Sequence, residues 1–145
     1  MRKVGPLLIN TNTGQDAVLL PMATLETPLW PATQRGALAC NHAGGVNVAL
    51  LREHMTRSVA LKAATVTYLA TVVQELPNRL PELQEIVRHT SKYTQLVAVH
   101  PQVVGSLLYL RFACTTGDAS GHNMVTLAAD RLIEWFLVHY PHLEY

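Results

Sequence analysis

Residues Thr116–Met124 read TGDASGHNM. An apolar run, Ser106–Cys114 (SLLYLRFAC), leads into them, and an amphipathic run, Val125–Tyr140 (VTLAADRLIEWFLVHY), leads out. The first run reads as a strand and the second has helical spacing, so the stretch is a strand-to-helix junction. Asp118 directly follows Gly117 and is placed to cap the helix by accepting hydrogen bonds from the following amides. Ala119, Ser120 and Gly121 then make a first turn with almost no side-chain bulk. One reading is an ordinary capped helix. The other is a helix start whose bare amides and dipole attract an anion, a dinucleotide pyrophosphate above all. The pattern is not Gly-x-Gly-x-x-Gly and no βαβ unit surrounds it, so residue chemistry leaves both readings open.

Working outward, Gly5–Pro21 holds two short apolar runs separated by turn residues and predicts a hairpin with Gly14 near its turn. Met22–Gly45 opens as a loop and continues as a helix. Thr27 is its expected N-cap, with Pro28 or Pro31 at the first regular position and Gly44 and Gly45 at its end. Val46–Ala63 is β-branched and alternating enough for one or two strands. Ala64–Leu76 and Pro81–Ser91 have helical spacing, bracketed by Pro77 and Pro81, and predict two helices. Two strands follow, Thr94–His100 and Ser106–Cys114, joined by a turn around Pro101 to Gly105. The last helix should bury Met124, Leu127, Ala128, Leu132, Trp135 and Phe136. Strand, helix, helix, strand, strand, flanked by segments of different character, predicts a small α+β unit inserted into something larger.

Composition narrows the classes. The chain has 145 residues, 49% of them apolar, enough for a core and against disorder. A net charge of +1 gives no reason to expect a nucleic-acid partner. Cys40 and Cys114 read as free thiols in a reducing compartment. Arg2 and Lys3 precede an apolar run too short for a signal peptide. No stretch approaches the ~20 apolar residues of a membrane span, so a soluble cytoplasmic protein is expected. His139 and His142 lie three apart with Pro141 between them and no Cys or acid to complete a set, so no metal site is expected. Neither a Gly-x-Ser-x-Gly elbow nor a Walker loop occurs.

Five blocks in order carry a resemblance. Gly117–Met124 (GDASGHNM) resembles the Gly-Asp-Ala-Met-Gly-x-Asn-Met signature of the hydroxymethylglutaryl-coenzyme A (HMG-CoA) reductase family. Pro21–Ala37 (PMATLETPLWPATQRGA) is similar to that family's Pro-Met-Ala-Thr-Thr-Glu-Gly segment with its following Asn-Arg-Gly. His54–Ser58 (HMTRS) resembles Met-Thr-Arg-Gly, His89–Leu96 (HTSKYTQL) resembles Ser-Thr-Ser-Arg-Phe, and Leu107–Phe112 (LLYLRF) resembles Leu-Tyr-Ile-Arg-Phe. The similarity runs from Val4 to Pro141.

The resemblance implies an NADPH-dependent oxidoreductase that converts HMG-CoA to mevalonate by two hydride transfers. It implies a ferredoxin-like nucleotide domain inserted in a large acyl-CoA-binding domain. Its boundaries would be residues 1–57 for part of the large domain, 58–117 for the small one and 118–145 for a helix returning to the large one. Glu26 matches the catalytic glutamate that supplies a proton to the developing alkoxide. That role needs a carboxyl pKa raised by burial, and Leu25, Leu29 and Trp30 are apolar enough to permit it. Arg35 and Arg57 match arginines on the substrate side. Ser91 and Lys92 match the Ser-Arg pair that holds the 2′-phosphate of NADPH, and Tyr93 the adjacent aromatic. Asp118, Ala119, Ser120, Gly121 and Asn123 match the nucleotide-binding junction. Without the resemblance, Glu26 is a helix-dipole partner or solvated charge, the two arginines are surface cations, and Ser91–Lys92 is a polar helix end.

Several positions depart from the family. Gln34 replaces Asn, Thr27–Pro28 follows the glutamate in place of Gly-x, and Ser120 and His122 replace methionines. Lys92 keeps the charge of the family arginine and loses its bidentate fork. The family's oxyanion lysine, its coupled aspartate and its thiolate-protonating histidine lie downstream of the equivalent of Tyr145. Losing an oxyanion donor alone costs on the order of a hundredfold in rate. The expectation is a homo- or hetero-oligomeric fragment, inactive until a second chain supplies the C-terminal half. A non-catalytic nucleotide-binding module and a plain ferredoxin-like interaction domain are the other readings.

Overall fold

The computed structural model describes residues 1–145 and divides into two compact units, Met1–Arg52 and Glu53–Tyr145. The architecture is mixed α+β. The breaks expected near Arg57 and Gly117 both fall inside the second unit: Arg57 lies within a strand, and the helix after Gly117 packs on that unit's own elements.

In the first unit, β1 (Arg2–Thr11) and β2 (Gly14–Met22) form the expected hairpin, closed at Thr11–Gly14. Helix α1 (Leu29–His42) follows, and β3 (Val46–Asn47) returns parallel to β1 at Ile9 and Asn10. Thr27 does not cap α1 with its hydroxyl. The chain enters through a tight turn in which Leu29 N–H donates to Glu26 O (3.1 Å) and Trp30 N–H to Thr27 O (3.3 Å), with Pro28 as the capping residue. Two α1 amides seven residues apart, hence on one helix face, serve the irregular part of β1. Gln34 accepts from Gly5 N–H (2.9 Å) and donates to Gly5 O (3.2 Å). Asn41 accepts from Leu8 N–H (2.8 Å) and donates to Pro6 O (2.9 Å). These bonds satisfy backbone groups where the β1–β2 register shifts between Val4 and Leu7. Gln34, a departure from the family pattern, thus has a structural task.

The second unit runs β4 (Met55–Lys62), α2 (Val66–Arg88), β5 (Gln95–Val104), β6 (Leu107–Thr115) and α3 (His122–His139). Its antiparallel sheet has the order β4-β6-β5. Leu108, Leu110, Phe112 and Cys114 of β6 meet Leu69, Val72, Leu76, Leu83 and Val87 of α2 and the buried face of α3 in one core. At the end of the chain Lys62 and Glu144 exchange backbone hydrogen bonds, both 2.8 Å, so a fourth strand position begins beside β4.

Three expectations give way here. Pro77 and Pro81 do not separate two helices; α2 passes through both. Each proline costs about 3 kcal/mol in a helix interior. Burying each of the five α2 side chains in the core returns roughly 1.5–3 kcal/mol. Both prolines are exposed, so the apolar stripe is uninterrupted. Pro101 is not in the turn; it lies within β5 opposite Leu110, and the hairpin turns at Gly105–Ser106. β5 is an edge strand, where a missing N–H is tolerated, and Gly105 at φ +58° suits a two-residue hairpin loop. The α3 stripe is Val125, Ala128, Ala129, Leu132, Ile133, Trp135 and Phe136, while Leu127 is exposed and Met124 half-buried. Trp135 and Tyr140 turn their polar ends onto α2, donating to Glu82 Oε1 (2.9 Å) and Glu75 Oε2 (3.0 Å).

Cys114 is wholly buried, and burial pushes its thiol up from 9.0 to about 11. The folded form thus holds the proton more tightly than the unfolded chain. That stability is complete below pH 9 and is lost as pH rises toward 11, by roughly 2–3 kcal/mol. Tyr140, raised by burial and by its bond to Glu75, adds to the loss above pH 10. Urea unfolding from pH 8 to 11 should show this decline, and Cys114→Ala should flatten its first part. An identical slope in that variant refutes the assignment.

Candidate functional site

The junction differs from its expected form in a way that matters chemically. Asp118 does not cap α3. The helix starts at His122, its N-cap is Gly121 in the left-handed conformation (φ +83°), and no side chain bonds its first amides. Asp118, Ala119 and Ser120 form a loop before the helix. Thr116 Oγ1 donates to Ala119 O (2.7 Å) and closes that loop. Val125 N–H donates to Gly121 O (2.9 Å), so the amides of His122, Asn123 and Met124 precede the helix's own bonding pattern and face outward unclaimed. A side-chain cap would have occupied this place; its absence leaves the dipole's positive end open.

Sheet register brings three sequence-distant segments to one end of the second unit. Thr115, the last residue of β6, pairs with Gln95, the first of β5. The α2–β5 turn holding Ser91, Lys92 and Tyr93 therefore flanks the same sheet end as the Thr116–Gly121 loop. Met55 pairs with Cys114, so β4 begins there too and carries Arg57, exposed and opposite Phe112. Within the turn, Tyr93 N–H donates to Ser91 Oγ (3.2 Å), and Lys92 Nζ lies 4.8 Å from the centroid of the exposed Tyr93 ring. The hydroxyl of Ser91, the ammonium of Lys92 and the open amides of α3 are anion-binding groups of different kinds at one sheet end.

Beside the turn is a cavity of about 370 Å³ lined by Gln84, Arg88, Lys92, Thr94, Gln95 and Leu96. Of these, the sequence alone points to Lys92. Arg88 is the last residue of α2 and Lys92 lies in the turn after it, so neither helical spacing nor the burial of Thr94 offered a signal.

Glu26 and Arg35 belong to the first unit. The Glu26 carboxylate is exposed, and the apolar shelter expected from its neighbours is missing: Leu25 is fully exposed and Leu29 is 40% exposed. Local sequence therefore does not bury this acid. Its backbone is held, with Glu26 N–H donating to Thr24 Oγ1 (3.1 Å) and its carbonyl starting α1. Arg35 is exposed on α1. No group of three His, Cys, Asp or Glu side chains is close enough to hold a metal, and no helix is long and apolar enough to cross a membrane.

Comparison with known proteins agrees with the blocks of sequence. The family model described as hydroxymethylglutaryl-coenzyme A reductase matches residues 3–145. The 3-hydroxy-3-methylglutaryl-coenzyme A reductase of Pyrococcus horikoshii is 34% identical over 146 residues, covering 100% of this chain and 35% of that protein. That of Aeropyrum pernix is 31% identical, covering 94% of this chain and 32% of that protein. Among solved structures, the class II 3-hydroxy-3-methylglutaryl-CoA reductase from Streptococcus pneumoniae, bound to NADPH in open conformations, superposes with a TM-score of 0.66 at 17% identity. It is matched over 94% of this chain and 37% of its own, a likeness of fold. This chain thus spans about a third of the length of the relatives it matches. With the family model matched across nearly every residue, the chain belongs to the hydroxymethylglutaryl-coenzyme A reductase family.

Proposed function

We propose that this chain is the NADPH-binding and acid-bearing portion of an HMG-CoA reductase, whose turnover also needs the family's oxyanion lysine, its aspartate and the thiolate-protonating histidine. The observation that carries the reading is the uncapped start of α3 behind left-handed Gly121, in a chain of reductase sequence. The second unit is the nucleotide domain; its β-α-β-β-α order with β6 central supports a ferredoxin-like reading. Ser91 and Lys92 hold the 2′-phosphate and Tyr93 borders it. The loop Asp118–Gly121 and Asn123 receive the pyrophosphate, where the small side chains of Ala119, Ser120 and Gly121 admit it to the amides. When bound, NADPH supplies the two hydrides that take the thioester to the alcohol. Arg35 and Arg57 orient the acyl-CoA, and Glu26 protonates the developing alkoxide.

The first unit supports the need for a complement. It buries Val4 and Ala37 alone and exposes Leu19, Leu38, Leu50 and Leu51. Apolar surface of that kind marks a place where other polypeptide packs. The test is oxidation of NADPH in the presence of HMG-CoA, with NADPH binding measured in parallel. The chain alone should bind NADPH without turnover, and adding a chain with the downstream half should restore turnover. A dead mixture that still binds NADPH removes the reductase reading and leaves a nucleotide-binding module. Failure to bind NADPH removes both.

A further inference from the structure

We propose that Arg88, which lines one cavity with Lys92 beside the α2–β5 turn, sets the preference for NADPH over NADH by gripping the phosphomonoester of the dinucleotide. This inference rests on the nucleotide-binding reading above and adds residues that family resemblance does not assign.

Two observations carry it. The first is charge. Arg88 and Lys92 both line the cavity, giving it two full positive charges. Lys92 by itself is a point charge, without the planar fork that grips two phosphate oxygens at once. Arg88 supplies that fork from the last residue of α2. Its present partner is Glu85, at 3.0 Å from Nη1, and Glu85 also lies 3.7 Å from His89 Nδ1. Both members of the Arg88–Glu85 pair are mostly exposed, and such pairs hold weakly, so a dianion outcompetes one shared carboxylate. The second observation is Thr94. It is 1% exposed, lines the same cavity, and its Oγ1 has no hydrogen-bond partner. Buried hydroxyls are almost always bonded; this one has no open surface of its own, so a phosphate oxygen becomes its acceptor only as the cavity wall opens on binding. Gln84 is already committed, its Nε2 donating to Leu96 O (3.0 Å), so it shapes the wall. NADPH and NADH differ in the phosphomonoester alone, which makes this cavity the place where the two are told apart.

The test is calorimetric titration of the full chain with NADPH, NADH and 2′,5′-ADP, for the wild type and for Arg88→Gln, Thr94→Val and Arg88→Gln/Lys92→Arg. Arg88→Gln should weaken NADPH and 2′,5′-ADP about tenfold or more and leave NADH unchanged. Lys92→Arg in that background should restore much of the loss, since it returns a fork to the cavity. Thr94→Val, which keeps the shape and removes the hydroxyl, should weaken the phosphorylated ligands and spare NADH. Wild-type NADPH affinity in Arg88→Gln overturns the inference and leaves the nucleotide reading standing. Arg88-dependent binding of 2′,5′-ADP without binding of NADPH keeps the cavity assignment and removes the dinucleotide reading. Binding of none of the three ligands removes both.

Discussion

Glu26→Gln in the complemented protein lowers turnover by about 10²–10⁴-fold, the usual contribution of a positioned general acid, while NADPH binding stays at the wild-type level. The substitution keeps the length and shape of the side chain and removes the transferable proton. It should also leave the chain folded. The carboxylate is exposed, and the groups that fix the segment are the backbone N–H and carbonyl of Glu26, which a glutamine also carries. Surface changes of this kind fall within about ±0.5 kcal/mol, so melting temperature separates a chemical loss from a structural one. Glu26→Asp keeps the acid and withdraws it by one methylene; misplacement on that scale costs about a hundredfold, so its rate should lie between the other two. The exposure of Glu26 sharpens the prediction. An acid that protonates an alkoxide near neutral pH needs an apolar surround, and Leu25 and Leu29 do not provide one here. In the proposed role, the surround would come from the rest of the reductase or from the bound substrate. If Glu26→Gln turns over at the wild-type rate, the proton comes from elsewhere and Glu26 is a solvated charge at a helix start.

Local patterning revealed the elements whose signals lie within a few residues. The β1–β2 hairpin, the glycine end of α1, and the strand-to-helix change around Thr116 follow from turn chemistry and periodicity. Wherever a local rule met a tertiary one, the local rule lost. Pro77 and Pro81 predict a break, and α2 continues because both rings are exposed and its buried stripe runs past them. Pro101 predicts a turn, and β5 continues because it is an edge strand whose N–H is not needed there. The candidate site was legible in the same uneven way. Matching blocks named Ser91, Lys92 and the Thr116 junction separately, while the register that sets Gln95 opposite Thr115 brings them together, and no local signal encodes that register. The partnerless hydroxyl of Thr94 is likewise a property of packing.

Gly121→Ala destabilises the second unit by roughly 3–5 kcal/mol, a large share of a domain's total stability. Two separable causes add. At φ +83° an L side chain clashes with its own backbone, at about 1–2 kcal/mol. The new Cβ would also stand 2.4 Å from Thr116 Cγ2, 2.6 Å from its Oγ1 and 2.8 Å from its Cβ, all closer than atoms tolerate. Thr116 is nearly buried and its hydroxyl is tied to Ala119 O, so making room breaks the bond that closes the loop. Urea unfolding of a double-mutant cycle tells the causes apart. Thr116→Ala removes Cγ2 and Oγ1 and keeps the Cβ at 2.8 Å, so Gly121→Ala should cost less in that background, leaving the backbone term and that one close contact. Equal cost in both backgrounds would show that Thr116 is not the obstacle; a variant as stable as the wild type would show that the left-handed start of α3 is not required. The same variant reports on function, because Gly121 is the N-cap residue directly before the open amides of His122 and Asn123, and shifting its backbone shifts them. At a temperature where enough of the variant remains folded to measure, its NADPH affinity should fall, and Thr116→Ala should restore stability more completely than binding. Thr116, Ala119 and Gly121 therefore act together: one hydroxyl, one carbonyl and one missing side chain hold the loop clear of the helix start, where a capping carboxylate would have closed it.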